Sequence, residues 1–242
     1  MFATKCKKIN IMQWRSKINE DTKFEGYKGS SSMDFKDVNM NTNSLSISNE
    51  EYDSLSLNQK ADYIINYLRQ NTEFDDVKIS GIVACLINES GLKRDAENKM
   101  EAKKWESAPY KSGKGIAQWS LNRNLNFSSW MLENYGEELF PNEATINQQL
   151  EFMLYEMSQR PAFLEAMKKA QTPAESADAV RRGFENGSKT ALASKKQMDA
   201  YEKVGSPGAD DIYRKDAKQA ERLYSRINTV VMAKQGIKLL IK

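Results

Sequence analysis

The sequence predicts a mostly α-helical fold, with an extended N-terminal arm and a long C-terminal helix. Apolar residues recur every three or four positions through most of the chain after residue 55, which is the period of an amphipathic helix. Ser56 and the pair Thr172-Pro173 precede such stretches, as residues at helix starts do. No stretch shows a convincing strand pattern. The 242 residues, 40% hydrophobic and 29% charged, suit one soluble domain with appendages.

A change of composition near residue 54 divides the chain into three predicted segments. Residues 1–54 are predicted to form an extended arm, because they have no helical period and are rich in Ser, Asn, Met and Asp toward their end. Residues 55–228 are predicted to form the helical domain, with an insertion at 188–208 that contains Gly and Pro. Residues 229–242 are predicted to be a C-terminal tail.

Helical periods define the elements of this domain in chain order. They predict helices over 57–70, 77–90, 121–135, 146–158, 161–170, 173–186 and 210–234. The polar stretch between the second and third of these ends in SGKG, which is typical of a loop. The last helix has apolar residues alternately four and three positions apart, so we expect it to pack along its length. These residues are Tyr213, Ala217, Ala220, Tyr224, Ile227 and Val231.

Composition excludes several classes of function. The chain has no histidine, which excludes His-based triads and His metal sites and leaves carboxylates as the proton carriers. Its two cysteines, Cys6 and Cys85, form no metal-ligand pattern, so no metal or cofactor is predicted. The net charge of +3 provides no general field for nucleic acid. No apolar run approaches the roughly 18 residues of a membrane span.

Glu89 lies on the apolar face of the helix predicted over 77–90. It follows Cys85 by four positions and Ile82 by seven, and Gly91 ends the helix two residues later. Burial against apolar side chains and the negative end of the helix dipole both disfavour a charged carboxyl there. A protonated carboxyl is what a glycosidase uses to protonate a leaving oxygen. The alternative is a helix-end acid that points to solvent.

The stretch GKGIAQWS at 113–120 provides groups that suit a sugar. The Gln118 amide can bind hydroxyl or acetamido groups, and the Trp119 ring can stack on a sugar face. The alternative is a plain loop that enters a helix, with Trp119 in the core.

Four motifs in order resemble the phage tail lysozyme family, which is itself similar to goose-type lysozymes and lytic transglycosylases. They are NESG at 88–91, GIAQWS at 115–120, QLEFMLYEM at 149–157 and TPAESADAVRRGFENG at 172–187. The resemblance covers about residues 56–187, with a weaker match in AKQAERLYSRI at 217–227. It implies a lysozyme-like helical domain that binds peptidoglycan.

The resemblance also implies roles for individual residues. Glu89 matches the catalytic acid of the family. Glu185 matches a late aromatic-Glu element and is a candidate for shaping the cleft or polarising Glu89; otherwise it is a helix-end surface acid.

The substrate-binding residues come from two of these motifs. Gln118 matches the Gln of the cleft, where it would contact the muramoyl sugar or its acetamido group. Trp119, Ser90 and Gly115 complete the predicted substrate-binding set.

Two stretches depart from the family pattern, and either could cover the cleft. They are KMEAKKWESAPYKSGK, within the loop from 92 to 114, and the insertion at 188–208. A second carboxylate also has no fixed place. The candidates are Asp95, Glu97, Glu106 and Glu185, and their distance from Glu89 would distinguish retaining from inverting chemistry. We favour a mechanism with one Glu, helped by the acetamido or 6-hydroxyl group of the substrate.

The resemblance implies a peptidoglycan hydrolase, a muramidase or lytic transglycosylase that cleaves the β-1,4 bond after N-acetylmuramic acid, and we predict that it is virion-associated. It would act on the host cell wall or periplasm during genome ejection. Ordering a backbone costs about 1–2 kcal/mol per residue, so we expect the arm to be buried against other phage tail or virion proteins, at or near the tail tip. One alternative is an inactive, lysozyme-fold structural protein of the tail or injection machine. The other is a free endolysin.

Overall fold

Helices build the fold, which confirms the predicted class. The computed structural model describes residues 47–185 and 209–240, and in the second range it describes side chains for 214–229. The elements are α1 (Asn49–Ser54), α2 (Leu57–Asn71), α3 (Asp76–Ser90), α4 (Lys99–Lys104), α5 (Asn122–Tyr135), α6 (Ile146–Ser158), α7 (Pro161–Lys169), α8 (Pro173–Val180) and α9 (Ala209–Leu240). A π-helical turn, Arg181–Glu185, continues α8. Within these ranges there is no strand. The predicted arm up to residue 46 and the insertion at 188–208 lie outside the described residues.

Side-chain caps explain why several helices begin where they do. In four of them a Ser or Thr hydroxyl accepts from the third helical N–H, while the side chain at that position accepts from the cap N–H. These capping boxes pair Ser48 with Glu51, Ser56 with Gln59, Thr145 with Gln148 and Thr172 with Glu175. At α3, Asp75 accepts from the N–H of Lys78.

Helix α3 lies at the centre of the domain and packs against α2, α8 and α9. Its residues from Ile79 to Leu86 are buried, so the helix is enclosed on most sides before it reaches Glu89. Gly81 permits the contact with α8, since a Cβ at this position would lie 2.2 Å from Ser176 Oγ and 2.6 Å from the backbone nitrogen of Ala177. The same Ser176 hydroxyl donates to the carbonyl of Lys78 at 3.0 Å.

A short helix lies within the stretch that the sequence assigns to the N-terminal arm. Residues Asn49–Ser54 form α1, and the Tyr52 side chain is fully buried in the core. Its hydroxyl donates to the carbonyl of Leu92 at 2.9 Å, and Asp53 pairs with Arg94 at 2.8 Å. A helix of six residues gives too short a period to recognise, which is why the sequence assigns it to the arm.

The C-terminal helix is longer than predicted and turns a slightly different face to the core. It continues to Leu240, so no change of structure marks residue 228. Among its described side chains the buried ones are Asp216, Ala220, Leu223 and Ile227, whereas Ala217 and Tyr224 of the predicted stripe are half-buried. Tyr213 and Val231 lie outside the described side chains. None of the helices within the described ranges is long and apolar enough to cross a membrane.

Candidate active site

Glu89 is the penultimate residue of α3, as the sequence predicts. The helix ends because Gly91 adopts a left-handed conformation, with φ of +64°, and its N–H donates to the carbonyl of Ile87 at 2.8 Å. The Glu89 side chain keeps 23% of its surface exposed, unlike the fully buried residues one and two turns before it. The Glu89 carboxyl therefore lies at the edge of the hydrophobic core.

Ser90 joins this helix end to the loop that carries Gln118. Its hydroxyl donates to the carbonyl of Ile116 at 2.8 Å and accepts from the N–H of Leu92 at 3.1 Å. The N–H of Ile116 donates in turn to Oε1 of Gln149, whose side chain is fully buried. Ser90 thus has a structural role, because its hydroxyl is engaged within the protein.

Gln118 lies in this loop with a half-buried side chain and a positive φ of 46°. Its amide Nε2 donates to the carbonyl of Gly115 at 3.1 Å. Gly115 itself is buried, with φ of +69°, and a Cβ there would lie 2.6 Å from Gln149 Oε1 and 2.8 Å from Pro141 Cβ. Gly115 therefore shapes the loop through its missing side chain, and Gln118 remains the predicted sugar-binding residue.

Trp119 belongs to the core, which leaves no ring face for a sugar. The side chain is fully buried, and its ring lies 5.7 Å from the rings of both Phe127 and Phe152, measured between centroids. The indole N–H donates to Glu156 Oε2 at 2.9 Å. We therefore correct the assignment of Trp119 as a sugar platform.

Arg181 is the partner of Glu89. Its Nη1 donates to Glu89 Oε1, while its Nε donates to Asp216 Oδ2 at 2.7 Å and its Nη2 to Asp216 Oδ1 at 3.2 Å. Asn88, the neighbour of Glu89, donates to the same Asp216 Oδ1 at 2.7 Å. The guanidinium thus connects two carboxylates, one at the end of α3 and one on α9. Glu89 faces this cation, where the sequence predicts apolar surroundings.

Glu156 on α6 gathers a second group of donors. Its carboxylate accepts from Trp119, from Arg123 Nε and Nη2 at 2.7 and 2.8 Å, and from Arg160 Nη2 at 2.6 Å. Burial by itself would raise the pKa of Glu156, but the two guanidiniums and the indole N–H hold that pKa below its ordinary value. Arg160 also donates to the carbonyl of Phe184 at 2.6 Å, so Glu156 indirectly fixes the π-helical turn.

Glu185, the last residue of the π-helical turn, lies close to both groups. Its side chain is 5% exposed, its Oε2 is 3.8 Å from Arg123 Nη1, and its buried Oε1 has no hydrogen-bond partner. Burial raises the pKa of Glu185 to about 8; the negative charges of Glu89 and Glu156 add to the rise, while Arg123 and Arg181 oppose it.

These residues form one charge cluster, and its composition explains the shift. The cluster contains Arg123, Arg160 and Arg181, with Glu89, Glu156, Glu185 and Asp216. Three cations balance three carboxylates, so the fourth acid would be an excess buried negative charge. Glu185 has the weakest contact with a cation and therefore keeps its proton near neutral pH. This is also what a relay or an acid partner for Glu89 requires.

Replacing Glu185 by Gln is expected to stabilise the protein at pH 7–8. The folded-state pKa of about 8 is higher than the ordinary 4.5, so the wild type loses stability as the pH rises between these values. A neutral amide of the same shape removes that loss, and we expect a gain of about 1 kcal/mol or more in the free energy of unfolding. Urea unfolding at pH 4 and pH 8 measures it. An equal difference between the two proteins at both pH values would contradict the assignment.

The other carboxylates proposed from the sequence lie between α3 and α5, on either side of α4. Glu97 pairs with Lys114, and the hydroxyl of Ser112 donates to its Oε1 at 3.2 Å. Asp95 and Glu106 are exposed. Glu185, whose pKa responds to the charge of Glu89, is therefore the second carboxyl that we retain.

Most residues of the charge cluster were not predicted from the sequence. Two of its acids nevertheless share the pattern that identified Glu89, an acid on the apolar face of a helix. Asp216 precedes the buried Ala220 by four positions and Leu223 by seven, and Glu156 follows Phe152 by four. Both acids thus lie on an apolar helix face, as Glu89 does. The arginines carry no such signal, because long basic side chains commonly cover apolar surface with the head in water.

Comparison with known proteins agrees with the resemblance seen in the motifs. Residues 59–215 match the family of phage tail lysozymes, and this range includes Glu89, Gln118, Glu156, Arg181 and Glu185. A search of curated proteins finds no match. Since the family covers well over half of the 242 residues, the chain belongs to the phage tail lysozymes, a family of lysozyme-like, glycosidase-type proteins that act on peptidoglycan.

Proposed function

We propose that this protein is a virion-associated muramidase or lytic transglycosylase that cleaves the β-1,4 bond between N-acetylmuramic acid and N-acetylglucosamine. The observation that carries the proposal is a partly exposed Glu89 at the end of α3, in one charge cluster with a buried Glu185 of raised pKa, inside the segment that matches the family. The cut would open the bacterial wall locally during genome ejection, with the protein at or near the tail tip.

The carboxyls of Glu89 and Glu185 differ in exposure, and we assign their roles accordingly. The Glu89 side chain is 23% exposed and can reach a glycan, whereas the Glu185 side chain is only 5% exposed. Burial and the charge of Glu89 raise the pKa of Glu185 to about 8, so Glu185 holds a proton near neutral pH and adds no negative charge beside Glu89. Glu89 delivers a proton to the glycosidic oxygen as the bond breaks and the bonding electrons move to that oxygen.

The positive charge that develops at the anomeric carbon is then captured by a nucleophile. Attack by water gives hydrolysis, and attack by the 6-hydroxyl of the muramoyl sugar gives an anhydro ring. In either case the nucleophile's proton passes to the Glu89 carboxylate, which restores the acid. Glu89 is the most exposed acid of the charge cluster, and the other three are too buried to act on a glycan, which favours help from the substrate's acetamido or 6-hydroxyl group. Gln118, held next to the end of α3 through the Ser90–Ile116 hydrogen bond, orients the sugar through its amide.

Digestion of purified peptidoglycan tests the proposal directly. We expect the wild-type protein to clear a wall suspension and to release fragments that end in N-acetylmuramic acid or in its anhydro form, which mass spectrometry distinguishes. Intact glycan strands after prolonged incubation with folded protein would contradict enzymatic function and favour a structural lysozyme-fold protein. Fragments that end in N-acetylglucosamine would contradict the assigned bond.

Removing residues 1–46 is expected to separate wall cleavage from assembly into the particle. The arm is proposed to dock on other tail or virion proteins, whereas the described core begins with α1. The shortened protein should therefore keep its activity on purified peptidoglycan but fail to enter particles in a complementation assay. Normal incorporation of the shortened protein would contradict the docking role of the arm, whereas absence of the full-length protein from particles would favour the free endolysin.

A shorter protein that lacks residues 1–54 provides the matched comparison. This deletion also removes α1, and with it the fully buried Tyr52 and its hydrogen bond to Leu92. Loss of a buried aromatic side chain costs roughly 3–5 kcal/mol, so this protein should unfold at clearly lower urea concentration than the one that lacks 1–46. Equal unfolding midpoints would show that α1 adds no stability.

A further inference from the structure

We propose that Asp216 and Arg181 are positioning residues for Glu89, through which the C-terminal helix holds the acid in place and balances its charge. The inference rests on the proposed catalytic role of Glu89. Neither residue needs to touch the glycan, because both act through the Glu89 carboxyl.

The geometry is that of a bracket built from three elements. Arg181 comes from the π-helical turn, and it binds Glu89 of α3 with one terminal nitrogen and Asp216 of α9 with the other two guanidinium nitrogens. Asn88, next to Glu89, binds the same aspartate at 2.7 Å. Two adjacent residues of α3 are therefore held by one carboxylate, directly at Asn88 and through the guanidinium at Glu89.

The ion pair between Asp216 and Arg181 is buried, and burying two charged groups costs free energy. The Asp216 side chain is 1% exposed and that of Arg181 is 9% exposed. Hydrophobic residues of similar volume often replace such buried ion pairs without loss of stability, so packing alone does not require these charges. The Glu89 carboxylate at the edge of the core does require a cation. Asp216 holds the Arg181 guanidinium in a fixed orientation and balances its charge.

The buried thiol of Cys85, one turn before Glu89, shows the opposite electrostatic effects of the two residues. Burial raises the pKa of Cys85; Asp216 raises it further and Arg181 lowers it. Arg181 contacts Glu89 directly and also lowers the pKa of Glu185. Other charged or titratable groups face Glu89 from their own elements: Glu185 from the π-helical turn, Arg123 from α5 and Cys85 from α3 itself.

Two neutral substitutions are predicted to move the pH profile of cleavage in opposite directions. Asp216→Asn keeps a hydrogen-bond acceptor but removes the negative charge that balances Arg181 from α9, so the proton of the catalytic acid is lost at lower pH. Arg181→Gln removes the cation, so that proton is kept to higher pH. We expect the alkaline limb of kcat/KM on soluble glycan to shift down in the first variant and up in the second, each by roughly half a pH unit or more.

Asp178→Asn and Arg182→Gln are the matched controls. They make the same chemical changes in a neighbouring ion pair, which joins α8 to the π-helical turn and leaves the Asp178 side chain 43% exposed. Both controls should keep the wild-type limb. The double variant with Asp216→Asn and Arg181→Gln restores charge balance, so its limb should return close to the wild-type position with a lower kcat.

Shifts of Asp216→Asn and Arg181→Gln in the same direction, or no shift in folded variants, would overturn the proposal and leave a structural role only. If Asp216→Asn does not fold, the other two variants decide the test. The alkaline limb should shift up in Arg181→Gln and return close to the wild-type position in the double variant. A failure of the proposed function is distinguishable, because the wild-type protein would then leave the glycan uncut, or Glu89→Gln would cut it as fast as the wild type.

Discussion

Glu89→Gln is expected to lower the rate of peptidoglycan cleavage by roughly 10²-fold or more while the fold remains intact. The amide preserves the volume of the side chain and a hydrogen-bond acceptor for Arg181, but it has no proton to give to the glycosidic oxygen. Because the side chain lies at the end of α3 and is partly exposed, the core around Cys85 and Leu86 is unaffected. Initial rates on purified walls, with a circular dichroism melt of the same preparations, measure both halves of the prediction.

Glu106→Gln is the control for this experiment. Glu106 is an exposed acid in the loop after α4, and the same substitution there should leave the rate unchanged. Full activity of Glu89→Gln would exclude Glu89 as the acid. An equal loss in both variants would point to general electrostatic attraction between enzyme and wall.

Glu156→Gln is expected to give the largest loss of stability among the substitutions considered, about 3–5 kcal/mol in the free energy of unfolding. The carboxylate accepts from Trp119, Arg123 and Arg160, and its side chain is only 12% exposed. A neutral amide leaves two buried guanidiniums without their counter-charge, and its NH₂ group would point at donors. Urea unfolding at pH 7 measures the change.

The pH dependence of this loss provides an internal check. The pKa of Glu156 is lowered in the folded protein, so its stabilisation is present above the ordinary pKa of 4.5 and is lost as the pH falls through the folded-state value. The difference between variant and wild type should therefore shrink in acid. Glu165→Gln, in the exposed pair with Lys168, should cost less than about 1 kcal/mol at any pH. Equal effects at the two positions would contradict the proposed importance of burial.

Local patterns in the sequence were enough to predict most of the helices and the place of Glu89 at a helix end. Periodicity, caps and the terminating Gly91 are each encoded within a few neighbouring residues. The bounds of α3 and α6 differ from the predicted ones by at most one residue. Helix α1 could not be predicted, for the converse reason. Six residues of α1 contain less than two helical turns, and the burial of Tyr52 depends on Leu92, forty positions away.

The surroundings of the candidate acid were predictable only in part, since they consist of contacts between distant segments. The apolar face of α3 indicated an acid on the buried side, but the cation that meets it is 92 positions later in the chain. Trp119 shows the same limit. Its motif suits both a sugar platform and a core residue, and the choice is determined by Glu156 and the rings of α5 and α6, which only the fold brings together.

The position of Asp216 on α9 has a consequence for the order in which the protein is made. Domains form from the N-terminus onward during synthesis, so α3 and the π-helical turn leave the ribosome before the aspartate that neutralises Arg181. Until α9 docks, the nascent chain contains a guanidinium whose burial is unfavourable. Chains that stop before residue 216 lack the carboxylate that balances Arg181, so they cannot complete the domain. Proteolysis in the producing cell would remove them in preference to finished copies.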